Sequence, residues 1–358
     1  MPDPLKNLYT AELICALCQK ISAQCAPFDT VGFTQYVFDE DWPEKELKAR
    51  MNHISNALYH FLPMPYSQAL QILIPVSSQF SGFEYIFFPG FVELYGLGEY
   101  AASIEALAHF TQHSSSEFAV RPFIKQYGPR MMQQMEDWAE CDNDHVRRLA
   151  SEGCRPRLPW AMALPEFKAD PAPILPILTK LKNDESEYVR RSVANNLNDI
   201  SKDNPQVVVE IAQQWLGESQ RIDWIVRHAC RTLLKSGKPE VLELFGFLKP
   251  DHIAITDLKI QESVNIGDNL SFSFALKTRQ TSLGKARLEY AIDFMKKNGK
   301  QSRKVFKISE SEITIKEKQV TKSHSFKKIS TRKYYPGIHR LGVIVNGCEL
   351  ASVDFMLS

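Results

Sequence analysis

A short Val-Arg motif recurs along the middle of this 358-residue chain. It stands at Val146-Arg147-Arg148, Val189-Arg190-Arg191 and Val226-Arg227-His228, so successive copies begin 43 and 37 residues apart. A weaker copy, Val120-Arg121, follows three serines. A second amphipathic segment is linked to each full copy, at 174–181, 207–216 and 241–247. Segments paired in this way at a period of about 40 residues predict a stack of helix pairs.

The residues before this stack also carry apolar side chains at helical spacing. In the stretch 43–61, a proline suits the first turn, and Leu47, Met51 and Ile54 share one face. The other helical stretches lie at 6–25, 66–74, 98–110 and 117–138. Helix pairs that bury their apolar faces only by stacking on a neighbour define HEAT-like repeats. We therefore predict that residues 1–250 form an all-α HEAT-like repeat solenoid.

The pattern changes to alternation after Pro250. In 287–294, Leu288 and Tyr290 fall on one face while Arg287 and Glu289 fall on the other, as in a half-buried strand. Asn346-Gly347 has the composition of a tight hairpin turn. Further strands are predicted at 253–260, 270–276, 304–308, 323–329, 338–345 and 349–356. About seven short strands in this length predict that residues 251–358 form an all-β immunoglobulin-like sandwich.

Charge divides at the same boundary. Residues 251–358 contain 19 Lys and Arg against 11 Asp and Glu, whereas the rest of the chain contains 24 against 31. The sandwich therefore carries +8 and the helical part −7, although the net charge is only +1. A basic domain of this kind favours contact with an anionic polymer such as nucleic acid. A Lys-rich exposed face without a partner is the alternative.

Composition limits the class of protein. The chain is 44% hydrophobic and 24% charged, which favours folded domains over disorder. Its seven cysteines are an odd number without framework spacing, and the first residues lack a signal-peptide pattern. The most apolar region, 72–97, is interrupted by prolines and glutamates, so it is no membrane span. We predict a soluble, cytoplasmic, monomeric protein that does not contact a membrane.

Helical register links two carboxylates in successive repeats. Glu152 follows Arg148 by four residues, so the two share a helix face. In the next repeat Arg191 aligns with Arg148, and Asp199 lies two turns further along the same face. Glu152 and Asp199 are thus predicted to project from equivalent sides of neighbouring helices. The alternative for the first repeat is a simple ion pair of Arg148 with Glu152 within one helix.

Glu117 and Trp160 each have a structural and a functional interpretation. Ser114 and Glu117 fit a capping box, with Ser114 as N-cap and Glu117 at the third helical position. Trp160 follows Leu158-Pro159, where the chain turns between repeats. A tryptophan there can belong to the core, or it can stack on a base or face a cation at the edge of a groove.

The arginines of the repeats and some lysines of the sandwich are candidate contacts for a phosphate backbone. An Arg that bonds to an Asp of the neighbouring repeat, as is common in HEAT ladders, is the alternative for any one of them. The candidates are Arg121, Arg147, Arg148, Arg190, Arg191, Arg227, Lys327 and Lys328.

Motifs of other chemistries are weak or missing. Cys15 and Cys18 form a single C-x-x-C inside a predicted helix, without the second pair that a zinc site needs. There is no G-x-S-x-G, P-loop or G-x-G-x-x-G motif. We predict no metal and no cofactor.

Two strings, R-R-L-A-S-E-G-C-R-P-R-L-P-W and Y-V-R-R-S-V-A-N-N-L-N-D-I-S-K-D, resemble the AlkC branch of the AlkC/AlkD family of bacterial DNA alkylation-repair glycosylases. E-L-K-A-R at 46–50 and V-R-P-F-I at 120–124 extend the resemblance over most of the helical part. The resemblance implies HEAT-like repeats and, in the AlkC branch, an immunoglobulin-like C-terminal domain. It also implies that Glu117, Glu152 and Asp199 are active-site carboxylates with Trp160 nearby.

The activity implied by this resemblance is monofunctional hydrolysis of the N-glycosidic bond of cationic alkylated bases, 3-methyladenine and 3-methylcytosine, in double-stranded DNA. A base that already carries positive charge is a good leaving group, so no general acid is needed. Carboxylates that stabilise an oxocarbenium-like sugar and orient a water suffice without a cofactor. The alternative function is a non-catalytic HEAT-repeat scaffold that binds DNA or protein.

Overall fold

The structure is a computed structural model that describes residues 4–329 and 332–358. The prediction that the chain has no signal peptide concerns its first residues, of which residues 1–3 lie outside the described part of the structure. The chain forms two compact units. One contains the residues up to Val208 together with Trp215–Ala229, and the other contains Val209–Gln214 with Cys230–Ser358. The last helix ends at Leu244 and the first strand begins at Ile253. The second unit therefore contains the last two helices as well as the strands. The predicted domain boundary at residue 250 remains a prediction.

The described residues contain sixteen α-helices, joined in places by short 3-10 turns. Their bounds are Ala11–Gln24 (α1), Thr30–Val37 (α2), Leu47–Phe61 (α3), Tyr66–Ser77 (α4), Phe87–Tyr95 (α5), Tyr100–Phe110 (α6), Val120–Tyr127 (α7), Pro129–Trp138 (α8), Asp144–Gly153 (α9), Pro165–Ala169 (α10), Leu175–Leu181 (α11), Glu187–Ile200 (α12), Pro205–Trp215 (α13), Gln220–Ala229 (α14), Arg231–Lys235 (α15) and Pro239–Leu244 (α16).

Helices α9 and α12 carry the first two of the three full copies of the repeated motif. The side chain of Asn143 caps α9 by accepting hydrogen bonds from the backbone N–H groups of His145 at 2.9 Å and Val146 at 3.4 Å. Val146 and Val189, the first residues of the two motif copies, are both buried. The two helices pack on each other, and α12 also packs on α14, which begins the third copy. The stack of helix pairs that the spacing predicts is confirmed.

Some helices differ from the predicted segments. The predicted segment 117–138 is two helices, because Gly128 has a φ of 47° and ends α7 before Pro129 starts α8. Helix α5 was not predicted, since its first six residues are all buried and leave no polar face for a periodic pattern. Helix α2 was not predicted either; it has only eight residues and begins at a cap formed by Asp29.

The strands of the second unit are Ile253–Ile260 (β1), Ser263–Val264 (β2), Asn269–Thr278 (β3), Gly284–Met295 (β4), Gln301–Ile313 (β5), Glu317–Ser325 (β6), Gly337–Val345 (β7) and Cys348–Leu357 (β8). They form a three-stranded sheet of order β1-β3-β6 and a five-stranded sheet of order β2-β8-β7-β4-β5. One apolar core includes residues of both sheets, among them Phe274 and Val343. Two packed sheets confirm the predicted sandwich.

The turn between β7 and β8 is the predicted hairpin. Asn346 and Gly347 have φ values of 45° and 79°, the signs that a type I′ turn requires. The Asn346 side chain also accepts a hydrogen bond from the Arg287 backbone N–H at 2.7 Å and donates one to the Leu248 carbonyl at 2.8 Å. Asn346 therefore links β4 to the segment before β1 through its side-chain hydrogen bonds.

The polar face of β4 is not exposed as predicted. Arg287 and Glu289 are buried, because β4 is a central strand with β5 and β7 on its two sides. Arg287 forms ion pairs with Glu289 at 2.5 Å and with Glu310 of β5. Within the described residues, no helix is long and apolar enough to cross a membrane.

Candidate active site

A cleft of about 380 Å³ opens on the helical unit beside the first full repeat. Glu117, Arg148 and Tyr188 contribute to it from the turn before α7, from α9 and from α12. The other residues that line it are Ser81, Gly82, Phe83, Gln112, His113, Ser114, Ser115 and His145. Because its charged groups come from separate repeats, stacking of the repeats determines their spacing.

Glu117 faces this cleft and is not part of a capping box. Helix α7 begins only at Val120, so Ser114 is no N-cap, and the predicted capping role is wrong. The backbone N–H of Glu117 is 3.4 Å from the hydroxyl of Ser115 instead. The Glu117 carboxylate accepts a hydrogen bond from the same hydroxyl at 3.1 Å and pairs with Nη1 of Arg148 at 2.5 Å. This carboxylate is directed at the next repeat.

Arg148 lies between two carboxylates. Besides Glu117 at 2.5 Å, its Nη2 is 3.4 Å from Oε1 of Glu152, and its Nη1 donates to the Ser115 hydroxyl at 3.0 Å. Burial disfavours the charged guanidinium, but Glu152 and Glu117 outweigh it and raise the pKa of Arg148. The predicted pair of Arg148 with Glu152 thus exists within a larger network. Because Arg148 is largely buried and paired with two carboxylates, the structure does not support the prediction that it contacts DNA phosphates.

Arg155 links the two repeats. Its Nη1 donates to Glu152 at 2.6 Å, and its Nε and Nη2 both lie 2.8 Å from Oδ2 of Asp199. Lys202 pairs with the other oxygen of Asp199 at 2.8 Å. Glu152 and Asp199 are only 5% and 2% exposed, so these are ion pairs largely removed from water. The predicted approach of Glu152 and Asp199 is confirmed, with a guanidinium between them.

The result is one network in which negative and positive groups alternate: Glu117, Arg148, Glu152, Arg155, Asp199 and Lys202. Three carboxylates and three cations balance in formal charge. Such a network holds carboxylates in fixed positions and in low-dielectric surroundings, where they can stabilise positive charge that develops nearby. The described residues contain no group of three His, Cys, Asp or Glu side chains that could hold a metal ion.

Trp160 lies at the surface. Its side chain is 61% exposed, so the alternative that it belongs to the core is wrong. Its backbone has a φ of 62°, an uncommon conformation for a non-glycine residue. The Lys48 ammonium donates to the Trp160 carbonyl at 3.0 Å, and the indole meets the ring of Phe83 edge-on at 6.4 Å. Since Phe83 lines the cleft, Trp160 is adjacent to its wall.

Arg121 is buried, and the prediction that it contacts DNA is wrong. Its side chain has 0% exposure. It donates to the carbonyls of Met162 at 2.7 Å, Gly153 at 2.8 Å and Arg155 at 2.8 Å. Burial lowers the pKa of Arg121 to about 10. Its role is to hold the segment after α9, which carries Arg155 and Trp160.

Arg147 bonds to an aspartate of the next repeat, as arginines in HEAT ladders commonly do. Its Nε and Nη2 donate to the two oxygens of Asp184 at 2.6 and 3.0 Å, and its Nη1 donates to the carbonyls of Cys141 and Asp142. These contacts confirm the HEAT ladder alternative and correct the prediction that Arg147 binds DNA. Arg190 repeats half of this pattern, since its Nη1 donates to the carbonyls of Asp184 and Glu185. Arg190 is half-buried, so DNA contact by it remains a prediction.

The other predicted phosphate contacts are exposed. Arg191 is 60% exposed and pairs with Glu187 of the same helix at 2.6 Å. Arg227 on α14 is exposed, and so are Lys327 and Lys328, which follow β6 in the second unit. Binding of DNA by these four residues remains a prediction.

Hydrogen bonds to neighbouring helices account for the asparagines in the interior of α12. Asn196 donates to the carbonyl of Ser151 on α9 at 2.8 Å, and Asn198 donates to the carbonyl of Ala229 on α14 at 2.8 Å. Asn195 contacts His228 of α14 at 3.1 Å. Poor helix formers are thus retained in this helix because their amides hydrogen-bond to both neighbouring repeats.

Sequence reasoning missed three members of the site. Arg155 lies beyond the end of α9, where helical register no longer applies, although its spacing of three from Glu152 was a usable signal. Lys202 stands at the same spacing from Asp199. Tyr188, whose ring lies 5.0 Å from the Arg148 guanidinium, is adjacent to the second Val-Arg motif but carries no pattern of its own.

Comparison with known proteins identifies relatives of both the helical region and the strand region. A family model described as DNA alkylation repair enzyme matches residues 108–233, and one described as the C-terminal Ig-like domain of uncharacterised protein YhaZ matches residues 254–358. The uncharacterized protein YhaZ of Bacillus subtilis strain 168 is 48% identical over 355 residues, which cover 99% of both chains. These matches define a class: helical-repeat proteins of DNA alkylation repair with an immunoglobulin-like C-terminal domain.

A solved structure narrows the class. Pseudomonas fluorescens alkylpurine DNA glycosylase AlkC, bound to DNA containing an abasic site analog, is 36% identical. It superposes with a TM-score of 0.95 over 99% of this chain and 100% of that one. The chain therefore belongs to the AlkC-type family of DNA alkylation-repair glycosylases.

Proposed function

We propose that this protein is a monofunctional DNA glycosylase that hydrolyses the N-glycosidic bond of cationic alkylated bases, 3-methyladenine and 3-methylcytosine, in double-stranded DNA. It acts as a monomer and without a cofactor. The observation that carries the proposal is the network in which Glu117, Glu152 and Asp199 are bridged by Arg148 and Arg155 beside an open cleft.

Carboxylates suit this reaction for a chemical reason. A cationic base departs as a neutral molecule, so the enzyme does not need to protonate it. The sugar carbon becomes positively charged as the bond breaks, and a nearby carboxylate stabilises that charge. A second carboxylate can accept a hydrogen bond from the attacking water. In this assignment Glu117, Glu152 and Asp199 act on the sugar and the water.

The protein must also bind the DNA duplex. The AlkC relative is bound to DNA containing an abasic site analog, which supports DNA as the partner. The exposed cations Arg191, Arg227, Lys327 and Lys328 are the proposed phosphate contacts. Trp160, exposed next to the cleft wall, offers an aromatic surface beside the lesion.

Excision is measured under single-turnover conditions with a duplex oligonucleotide that carries one 3-methyladenine. We expect the wild-type protein to release the base well above the rate of spontaneous depurination. Glu152→Gln and Asp199→Asn should each slow excision by roughly 10²–10³-fold, as loss of one electrostatic stabiliser does, and leave DNA binding largely intact. Glu187→Gln is the control, since it changes an exposed carboxylate on the same helix as Asp199.

Two outcomes would contradict the proposal. Wild-type excision no faster than spontaneous depurination would leave the alternative, a scaffold that binds DNA or protein without catalysis. Normal excision by both site variants, or equal loss in Glu187→Gln, would reject the assignment of the site.

A further inference from the structure

Lys48 connects the first helices of the chain to the loop that carries Trp160. It lies in the first turn of α3, in the E-L-K-A-R string at 46–50, which the ion-pair network does not include. Its ammonium donates a hydrogen bond to the Trp160 carbonyl at 3.0 Å, across 112 residues of sequence. The same ammonium lies 5.1 Å from the centroid of the Phe118 ring. Because Phe118 follows Glu117 in sequence, one half-buried lysine contacts both the turn of Glu117 and the loop of Trp160.

The other charged side chains of this string have local roles. Arg50 is 7% exposed and donates to the carbonyls of Lys6 at 2.8 Å and Trp42 at 3.3 Å. Glu46 pairs with Lys6 at 2.7 Å. These contacts stabilise the packing of the first fifty residues. Lys48 differs from both, because its contacts lie much later in the chain.

The loop after α9 holds Trp160 in a conformation that needs support. Its φ of 62° is disfavoured for an L-residue, and such a conformation persists only where surrounding contacts hold it. Arg121 binds carbonyls near both ends of this loop, and Arg157 pairs with Asp203 at 2.5 Å. No backbone N–H of the described residues donates to the Trp160 carbonyl, and the indole is 61% exposed. Lys48 therefore supplies the support at Trp160 itself.

We infer that Lys48 is a positioning residue that fixes the Trp160 backbone, and through it the indole, at the wall of the cleft. Its cation–π contact with Phe118 places the ammonium against the turn of Glu117, so Lys48 also fixes the separation of Trp160 from that carboxylate. The effect of Lys48 on excision rests on the proposed function. Its effect on the position of the indole does not, since it depends only on the hydrogen bond and the ring contact.

The first test follows the indole directly. In protein labelled with 5-fluorotryptophan, the chain's five tryptophans give separate ¹⁹F resonances, and Trp160→Phe identifies that of Trp160. Lys48→Met keeps the aliphatic stem and removes the donor, so the Trp160 resonance should shift and broaden while that of the exposed Trp224 stays unchanged. Lys48→Arg should keep the Trp160 resonance close to that of the wild type. An unchanged Trp160 resonance in Lys48→Met would overturn the inference.

Lys45→Met is the matched control, because Lys45 is also half-buried but pairs with Asp39 at 2.7 Å. An equal shift of the Trp160 resonance in this variant would likewise count against Lys48. The four other resonances report whether each variant is folded. If Lys48→Met is unfolded, Lys48→Gln, whose polar end lies one bond closer to the backbone, takes its place under the same criteria.

The second test measures excision under single-turnover conditions. Lys48→Met should lower the rate constant roughly tenfold, because it misplaces a group beside the reacting atoms, and Lys48→Arg should recover most of the rate. In the Trp160→Ala background the same substitution should change the rate by less than about twofold, since Lys48 acts through Trp160. A tenfold loss in both backgrounds would reject that role. If the wild-type protein excises nothing, the proposed function fails, while the ¹⁹F spectra still accept or reject the role of Lys48.

Discussion

At the scale of single residues, Arg121 shows how a buried cation can serve a site without touching it. Its three hydrogen-bonded carbonyls all belong to the end of α9 and the segment between α9 and α10, and that segment carries Arg155 and Trp160. A guanidinium with five N–H donors is suited to bind several carbonyls at once. Arg121 is therefore a positioning residue, and its conformation decides where Arg155 can reach.

Arg121→Met should destabilise the helical unit strongly, because the aliphatic replacement leaves three carbonyls without their donor. We expect a loss of about 3 kcal/mol or more in the free energy of unfolding, measured by urea denaturation. Arg130→Met is the control: Arg130 is exposed and stacks on Tyr100 at 3.9 Å, so its loss should cost under about 1 kcal/mol. Similar costs for the two variants would contradict a special role for Arg121.

The site was predictable only as far as helical register extends. Glu152 and Asp199 lie on helices, and their position relative to the Val-Arg motif was enough to place them on equivalent sides of neighbouring helices. Arg155 lies in a loop whose shape depends on hydrogen bonds to Arg121, which is 34 residues away in the chain. The spacing of three residues from Glu152 suggests one of its contacts, but no local pattern encodes the loop conformation that brings Arg155 to Asp199, and so the guanidinium between the two carboxylates was missed.

At the scale of secondary structure, periodicity detected elements that are buried on one side. Helix α3 has a buried face and an exposed face, and it ends at Phe61 as predicted. Its predicted start was wrong, because Pro43 lies in a separate 3-10 turn and the helix begins only at Leu47. Helix α5 is buried almost all round, so its apolar run had no period to detect. The break between α7 and α8 was missed because both segments carry a helical pattern and only Gly128 marks their boundary.

Gly128→Ala tests this break. Gly128 has a φ of +47° and a ψ of −119°, a conformation that L-residues rarely adopt, and a Cβ at this position would meet no other atom within 4 Å. The substitution should therefore cost about 1–3 kcal/mol in the free energy of unfolding through backbone strain alone. Gly98→Ala is matched, since its Cβ would also meet nothing within 4 Å and its φ is not positive. A cost as small as that of Gly98→Ala would argue against strain at Gly128.

At the scale of the whole molecule, the helical region and the strand region carry opposite charge. The strand region from Asp251 onward carries +8 and the preceding residues carry −7. The site network contributes nothing to the −7, because its carboxylates Glu117, Glu152 and Asp199 are balanced by three cations. The basic sandwich, by contrast, exposes lysines such as Lys327 and Lys328. Long-range attraction of a polyanion is therefore expected from the sandwich.

Lys327→Ala/Lys328→Ala should weaken binding to an undamaged duplex and lower the slope of log Kd against log salt by about 2, roughly one per lost phosphate contact. Lys296→Ala/Lys297→Ala removes the same charge from the exposed turn after β4. Fluorescence anisotropy across a salt series compares the two variants. Equal slopes would show that the net charge of the sandwich matters and that the position of Lys327 and Lys328 does not.

The ion-pair network has a mechanical consequence. Two of its links join separate elements: Glu117–Arg148 connects the turn before α7 to α9, and Arg155–Asp199 connects the loop after α9 to α12. Any change in the curvature of the solenoid changes the lengths of those links. A duplex that bends the solenoid on binding would thereby change the distances between the carboxylates.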